Sequence, residues 1–128
     1  LKTGQADYVN AGHEPALVIG PDGITHQLEA TGPAVGVLAE APYDTGSIRL
    51  KHGEMIFGYT DGVSEARAGN REFYTRERLF STISRIKTQD AGGHTPEQFI
   101  RLIRQDIFDF LDNTPQSDDI TMLALKRK

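Results

Sequence analysis

The spacing of apolar residues changes character near residue 75, and that change admits few folds. Before it, apolar residues come in short runs broken by Gly and Pro. After it, they recur every three or four positions. Short runs between turn residues read as strands, and the 3–4 spacing reads as helix. Residues 6–10 hold β-favouring Tyr8 and Val9 and stop at Ala11-Gly12. Residues 16–19 and 24–28 flank Pro21-Asp22-Gly23, a turn in which Pro presets φ and Gly accepts φ > 0, so they predict a hairpin. Residues 40–46 are polar and loop-like. Residues 47–51 and 54–60 flank His52-Gly53 and predict a second hairpin, its second strand apolar enough to be covered on both faces.

In the second half, Leu79, Phe80, Ile83 and Ile86 share one face of a helix over 76–87. A polar linker with a Gly pair follows at 88–93. The next helix, over 96–111, is well signalled. Thr95 is the N-cap, Pro96 takes the first helical position and Gln98 completes a capping box. Its stripe is Phe99, Leu102, Ile103, Ile107 and Phe110. Residues 113–116 break it, and 120–125 read as a last strand, apolar on both faces. Strands, two helices, then a strand predict an α+β fold: a mostly antiparallel sheet with helices on one face.

Composition narrows the chemistry. With 128 residues the chain suits one domain. It has no cysteine, which excludes disulfides, thiolate zinc and a Cys nucleophile. Its net charge is −4 and no basic run is interleaved with aromatics, so nucleic acid is not an expected partner. No apolar stretch approaches the roughly 20 residues of a membrane helix. No signal-peptide pattern opens the chain, and the expected location is the cytoplasm.

Two carboxylate positions stand at similar boundaries. Asp61 follows an apolar strand and precedes Gly62, while Asp118 and Asp119 precede the last strand. A carboxylate at a strand end is rigidly held yet can face a cleft, and hard cations such as Mg²⁺ and Mn²⁺ take oxygen ligands. Equally, Asp-Gly is a common turn and Asp-Asp a solvated lead-in. His13, after Gly12, reads either as a ligand or base, or as a loop residue bonded to backbone. His26, His52 and His94 lack metal-like spacing. The Gly-rich segment around Gly32 lacks the Lys and Ser/Thr of a P-loop and reads as a tight loop near a site. Arg67, Arg71, Arg76 and Arg78, beside Glu65, Glu72 and Glu77, read as a salt-bridged solvated face. Phe73-Tyr74 reads as core packing at the start of the helix.

Taken in order, five motifs resemble one family. They are Tyr8-Val9-Asn10-Ala11-Gly12-His13, Thr31-Gly32-Pro33-Ala34-Val35-Gly36, Tyr59-Thr60-Asp61-Gly62-Val63-Ser64-Glu65-Ala66, Glu72-Phe73-Tyr74 with Arg78-Leu79, and Ser117-Asp118-Asp119-Ile120-Thr121. The series is similar to the bacterial metal-dependent protein phosphatases of the protein phosphatase 2C type, in the branch of stage II sporulation protein E and the stress-response sigma-factor phosphatases. The resemblance spans essentially the whole chain. It implies an α-β-β-α sandwich and two Mn²⁺ or Mg²⁺ ions whose bound water hydrolyses phosphoserine or phosphothreonine. It implies metal ligation by Asp61 and Asp118, with Asp119 a further ligand or a residue orienting its neighbour. Asn10, His13, Gly32 and Gly62 fall near the site.

The resemblance also marks what is missing. The family draws further ligands from a Gly-Asp-aromatic-Asp-like and an Asp-Val-x-Gly-His-Gly-like segment, and neither occurs in this sequence. Residues 1–128 are therefore expected to be the C-terminal portion of the phosphatase domain. The two-metal site is incomplete in this chain, and an upstream sensor or regulatory domain is expected in the parent protein. Two carboxylate positions hold a hard cation weakly, so the chain alone is expected to be inactive. Glu14 stands where Asn or Pro is usual, and Thr75 where Gly is common. The expected substrate is a phosphorylated signalling protein such as an anti-sigma-factor antagonist. The alternative is a catalytically incomplete partner-binding module of the same fold.

Overall fold

The computed structural model describes residues 3–89 and 93–128. The expectations for Leu1-Lys2 and for the Gly pair of the 88–93 linker fall wholly or partly outside the described residues. The elements are β1 (Gln5–Tyr8), β2 (Ala16–Gly20), β3 (Gly23–Leu28), β4 (Gly46–Arg49), β5 (Met55–Tyr59), α1 (Asp61–Ser64), α2 (Arg76–Thr88), α3 (Pro96–Leu111) and β6 (Met122–Lys126). The strands form two antiparallel sheets, one of order β3-β2-β5-β6 and one of β1-β4. The α+β class holds.

Alternation along β2 explains the layering. Leu17 and Ile19 point to one face, where they join Phe57, Tyr59, Leu79, Ile83, Phe99, Ile103 and Ile107 in a core beneath the helices. Val18 points to the other face and packs with Leu28 and Leu50 against the small sheet. A strand covered on both sides needs an apolar residue at every position, which is why 16–19 is an unbroken run. Each fully buried Leu, Ile or Phe contributes about 1.5–3 kcal/mol. Phe57 meets Phe99 edge to face, ring centroids 5.4 Å apart.

The helices α2 and α3 start where the sequence predicts, while α1 is not expected from it. Thr95 accepts from the Gln98 N–H while Gln98 Oε1 accepts from the Thr95 N–H, so the capping box is complete. Asp106 ties α3 to α2. Its Oδ2 accepts from Tyr74 Oη at 2.6 Å and Thr82 Oγ1 at 2.9 Å, and its Oδ1 pairs with Arg85 Nη2. No helix among the described residues is long and apolar enough to cross a membrane.

Several expectations are corrected. The first hairpin forms, but β4 and β5 do not pair. β4 joins β1 in one sheet and β5 lies between β2 and β6 in the other. Leu50 turns inward between the sheets, and donors of the connecting segment bond elsewhere: Leu50 N to Gly4 O and Gly53 N to Arg127 O. β6 is an edge strand, apolar on both faces as read from the sequence, but one face is uncovered, with Leu123 69% and Leu125 50% exposed. On β5 one face is buried and the other is covered at Ile56, which packs on the Val18–Leu50 cluster, but open at Gly58, where an added Cβ would meet nothing within 4 Å. Of the pair Phe73-Tyr74, only Tyr74 is in the core. The expected salt-bridged Arg face does not form among the described residues. Arg76 pairs with Glu14, and Arg67 and Arg78 lie over the Phe73 and Phe110 rings.

Candidate functional site

The end of β5 sets the site. Thr60 follows the strand and is bonded to the segment before β6 three times over. Its N–H donates to Thr121 O at 3.1 Å, its Oγ1 accepts from Thr121 N at 3.1 Å, and the same hydroxyl donates to Asp119 O at 3.0 Å. This staple brings the Asp61 and Asp118-Asp119 loops side by side, although they are far apart in sequence. Gly62 makes the approach possible. A Cβ there would lie 2.4 Å from Asp119 O. The chain then enters α1 at Asp61 itself, so Asp-Gly begins a helical turn rather than a hairpin turn.

All three carboxylates are exposed. Asp61 Oδ1 accepts from the Gly62 N–H at 2.9 Å, and Asp118 Oδ1 from the Asp119 N–H at 2.7 Å. Each keeps a second oxygen for a further partner. These are hard oxygen donors of the type Mg²⁺ and Mn²⁺ take. Among the described residues, however, no group of three or more His, Asp or Glu is placed to hold an ion. The residues present fit part of a donor set and do not complete one.

A second loop faces Asp61. Gly12, His13, Glu14 and Asp61 line one cavity of about 200 Å³. Asn10 builds this loop. Its Oδ1 accepts from the His13 N–H at 2.8 Å, and its Nδ2 donates to His13 O and Leu28 O, each at 3.0 Å. His13 Nδ1 lies 3.0 Å from Glu14 O. A carbonyl only accepts, so Nδ1 donates in this contact. His13 is thus backbone-bonded, as the loop reading expects, and it also lines the cleft beside Asp61.

Of the residues singled out from sequence, Asp61, Gly62, Asp119 and His13 converge, and Asn10 supports them. Asp118 sits one residue before Asp119 on the same loop. Gly32 packs on the Tyr43 ring, and its neighbour Thr31 is bonded to Asn10. Sequence reasoning missed how Glu14 and Arg76 are used. Glu14 Oε2 lies 3.6 Å from Arg76 Nε, and Arg76 Nη2 donates to Gln27 Oε1 at 2.9 Å, tying the start of α2 to the His13 loop. The buried Tyr59 hydroxyl is close to both. Burial pushes its pKa up, with Arg76 opposing and Glu14 adding to the shift. The departure at Glu14 was the available signal.

Comparison with known proteins finds relatives along essentially the whole chain. The family model described as stage II sporulation protein E (SpoIIE) matches residues 1–128. Protein IcfG of Synechocystis is 38% identical over 127 residues, covering 99% of this chain and 19% of that protein. The phosphoserine phosphatase RsbU of Bacillus subtilis is 30% identical over 125 residues, covering 97% of this chain and 35% of RsbU. Among solved structures, the SiaA-PP2C domain of Pseudomonas aeruginosa matches with a TM-score of 0.76 at 17% identity, over 98% of this chain and 47% of that one. The last likeness speaks for the fold. In each case the chain spans half or less of its relative.

Proposed function

The chain belongs to the stage II sporulation protein E (SpoIIE) family of PP2C-type phosphatases, and from that premise we propose that residues 1–128 are the C-terminal portion of a phosphoserine/phosphothreonine protein phosphatase domain. The observation that carries this reading is the Thr60–Thr121 staple, which sets Asp61 and the Asp118-Asp119 loop side by side at one sheet end, facing His13. Asp61 and Asp118 are the proposed ligands of Mn²⁺ or Mg²⁺. Asp119 either adds a ligand or holds Asp118 in place through its backbone N–H. When bound, divalent cations lower the pKa of water and offset charge on phosphate oxygens. The remaining donors come from other parts of the parent protein. The overall reaction adds water across the phosphorus–oxygen ester bond, releasing phosphate and the Ser or Thr hydroxyl.

The proposed substrate is a phosphorylated signalling protein of the cytoplasm, such as an anti-sigma-factor antagonist, with an upstream sensor or regulatory domain governing the activity. The relative RsbU, a phosphoserine phosphatase, supports phosphoserine as the hydrolysed group. In the full-length parent protein, Asp61→Ala abolishes Mn²⁺-dependent phosphate release from phosphoserine protein. Unchanged release would overturn the assignment. One observation favours a second reading, a partner-binding module without turnover: the donor set is incomplete among the described residues. An acidic Gly-Asp-aromatic-Asp segment upstream in the parent sequence decides for the enzyme, and its absence decides for the module.

A further inference from the structure

The segment after β3 holds aliphatic side chains out in water. Val35 is 78% exposed, Val37 68% and Leu38 59%. Such exposure costs free energy unless something covers it. The segment has a fixed base. Thr31 N donates to Asn10 O at 2.8 Å, and Asp44 N to Thr31 O at 3.0 Å. Val37 N closes a turn onto Ala34 O at 3.3 Å, with Gly36 at φ +86°. The three side chains thus fall within four successive positions of one turn.

Its position gives the exposure a meaning. Ala34 packs so closely on Gly12 that a Cβ there would lie 2.8 Å from the Ala34 backbone. Gly12 in turn lines the cleft that holds His13, Glu14 and Asp61. The aliphatic segment is thus joined to the cleft through Ala34 and Gly12. Between residues 31 and 48 there is no Lys or Arg, while Glu40 and Asp44 are present. We propose that Val35, Val37 and Leu38 form a docking lip for the protein substrate. It takes an apolar, non-acidic side chain flanking the phosphorylated residue. This rests on the phosphatase reading and names what selects the substrate at that site. Three side chains are too small an area for a stable dimer, which needs about 1,000 Å² or more. The uncovered β5–β6 face is a separate surface.

The test uses the full-length parent protein with Mn²⁺, and compares wild type with the triple variant V35S/V37S/L38S. The probes are phenyl phosphate and two phosphoserine peptides that differ only in leucine or serine beside the phosphoserine. Wild type favours the leucine peptide by about tenfold or more in kcat/KM. The variant loses that preference relative to its own phenyl phosphate turnover. A variant that keeps the preference, or a wild type that shows none, overturns the proposal. So does a variant that loses phenyl phosphate turnover and Tm together, because the lip then packs within its own protein. If wild type releases phosphate from none of the three, the phosphatase reading fails. The same two peptides, labelled and followed by fluorescence anisotropy, then decide the lip by the same preference and its loss.

Discussion

Residue 62 shows how the site depends on a missing side chain. Gly62 has no room for one: an added Cβ would sit 2.4 Å from the Asp119 carbonyl oxygen and 3.0 Å from its carbon, both backbone atoms. The Thr60–Thr121 hydrogen bonds hold those loops together and resist separation. Gly62→Ala therefore destabilises the protein by about 1–3 kcal/mol, the usual cost of overpacking a tight site. Urea unfolding measures this, and an unchanged midpoint would contradict the close approach. Gly58→Ala is the control, since nothing lies within 4 Å of its added Cβ. The sequence marks Asp61-Gly62 and Asp118-Asp119 as boundary residues, but their adjacency depends on strand order, which local pattern does not encode. Thr75 is a second case. Its φ of +64° explains why Gly is common there, and its hydroxyl caps α2 by accepting from the Arg78 N–H.

At the scale of elements, what was legible followed periodicity and capping. α2, α3 and the β2–β3 hairpin lie within a residue or two of their sequence boundaries because each carries local signals: the Thr95 capping box, the Pro21-Asp22-Gly23 turn, the 3–4 spacing. The second hairpin failed because its turn joins two sheets, a fact written in Leu50 packing under Val18 rather than in His52-Gly53. The α2–α3 contact was also invisible, since Tyr74, Thr82, Arg85 and Asp106 come from three separate segments. It makes a prediction about pH. Burial first, then the hydrogen bond to Asp106, raises the Tyr74 phenol above its ordinary value of 10.0. A phenol whose pKa is raised by folding stabilises the fold fully below its unfolded pKa. That contribution is lost as pH rises beyond it, because the unfolded chain releases the proton first. Urea midpoints should therefore fall above about pH 10 in wild type. In Tyr74→Phe the midpoint starts lower, by about 1 kcal/mol for the lost hydrogen bond, and falls less steeply. Parallel curves would show that Tyr74 does not carry the alkaline loss.

For the whole molecule, the two sheets are unequal, and the inequality has a consequence. Two strands cannot cover four. The β1–β4 sheet packs on Val18 and Leu28 of β2 and β3, leaving Gly58, Leu123 and Leu125 on the β5–β6 side without a layer above them. β6 also offers a free strand edge, which proteins seldom leave both apolar and open. The chain spans 47% of the SiaA-PP2C domain whose fold it shares, and on the proposed reading further parts of the parent protein cover this face. Hydrogen exchange tests this directly. In the 128-residue chain the outward amides of 122–126 exchange freely, since an edge strand bonds on one side alone. In the full-length protein a pairing strand and an apolar layer slow them by about tenfold or more, as one added hydrogen bond and buried leucines imply. The amides of β2, paired on both edges already, change little in either form. Equal exchange of β6 in the two proteins would mean that nothing completes the sandwich there. The site at the end of β5 would then have to gather its remaining donors from somewhere other than that face.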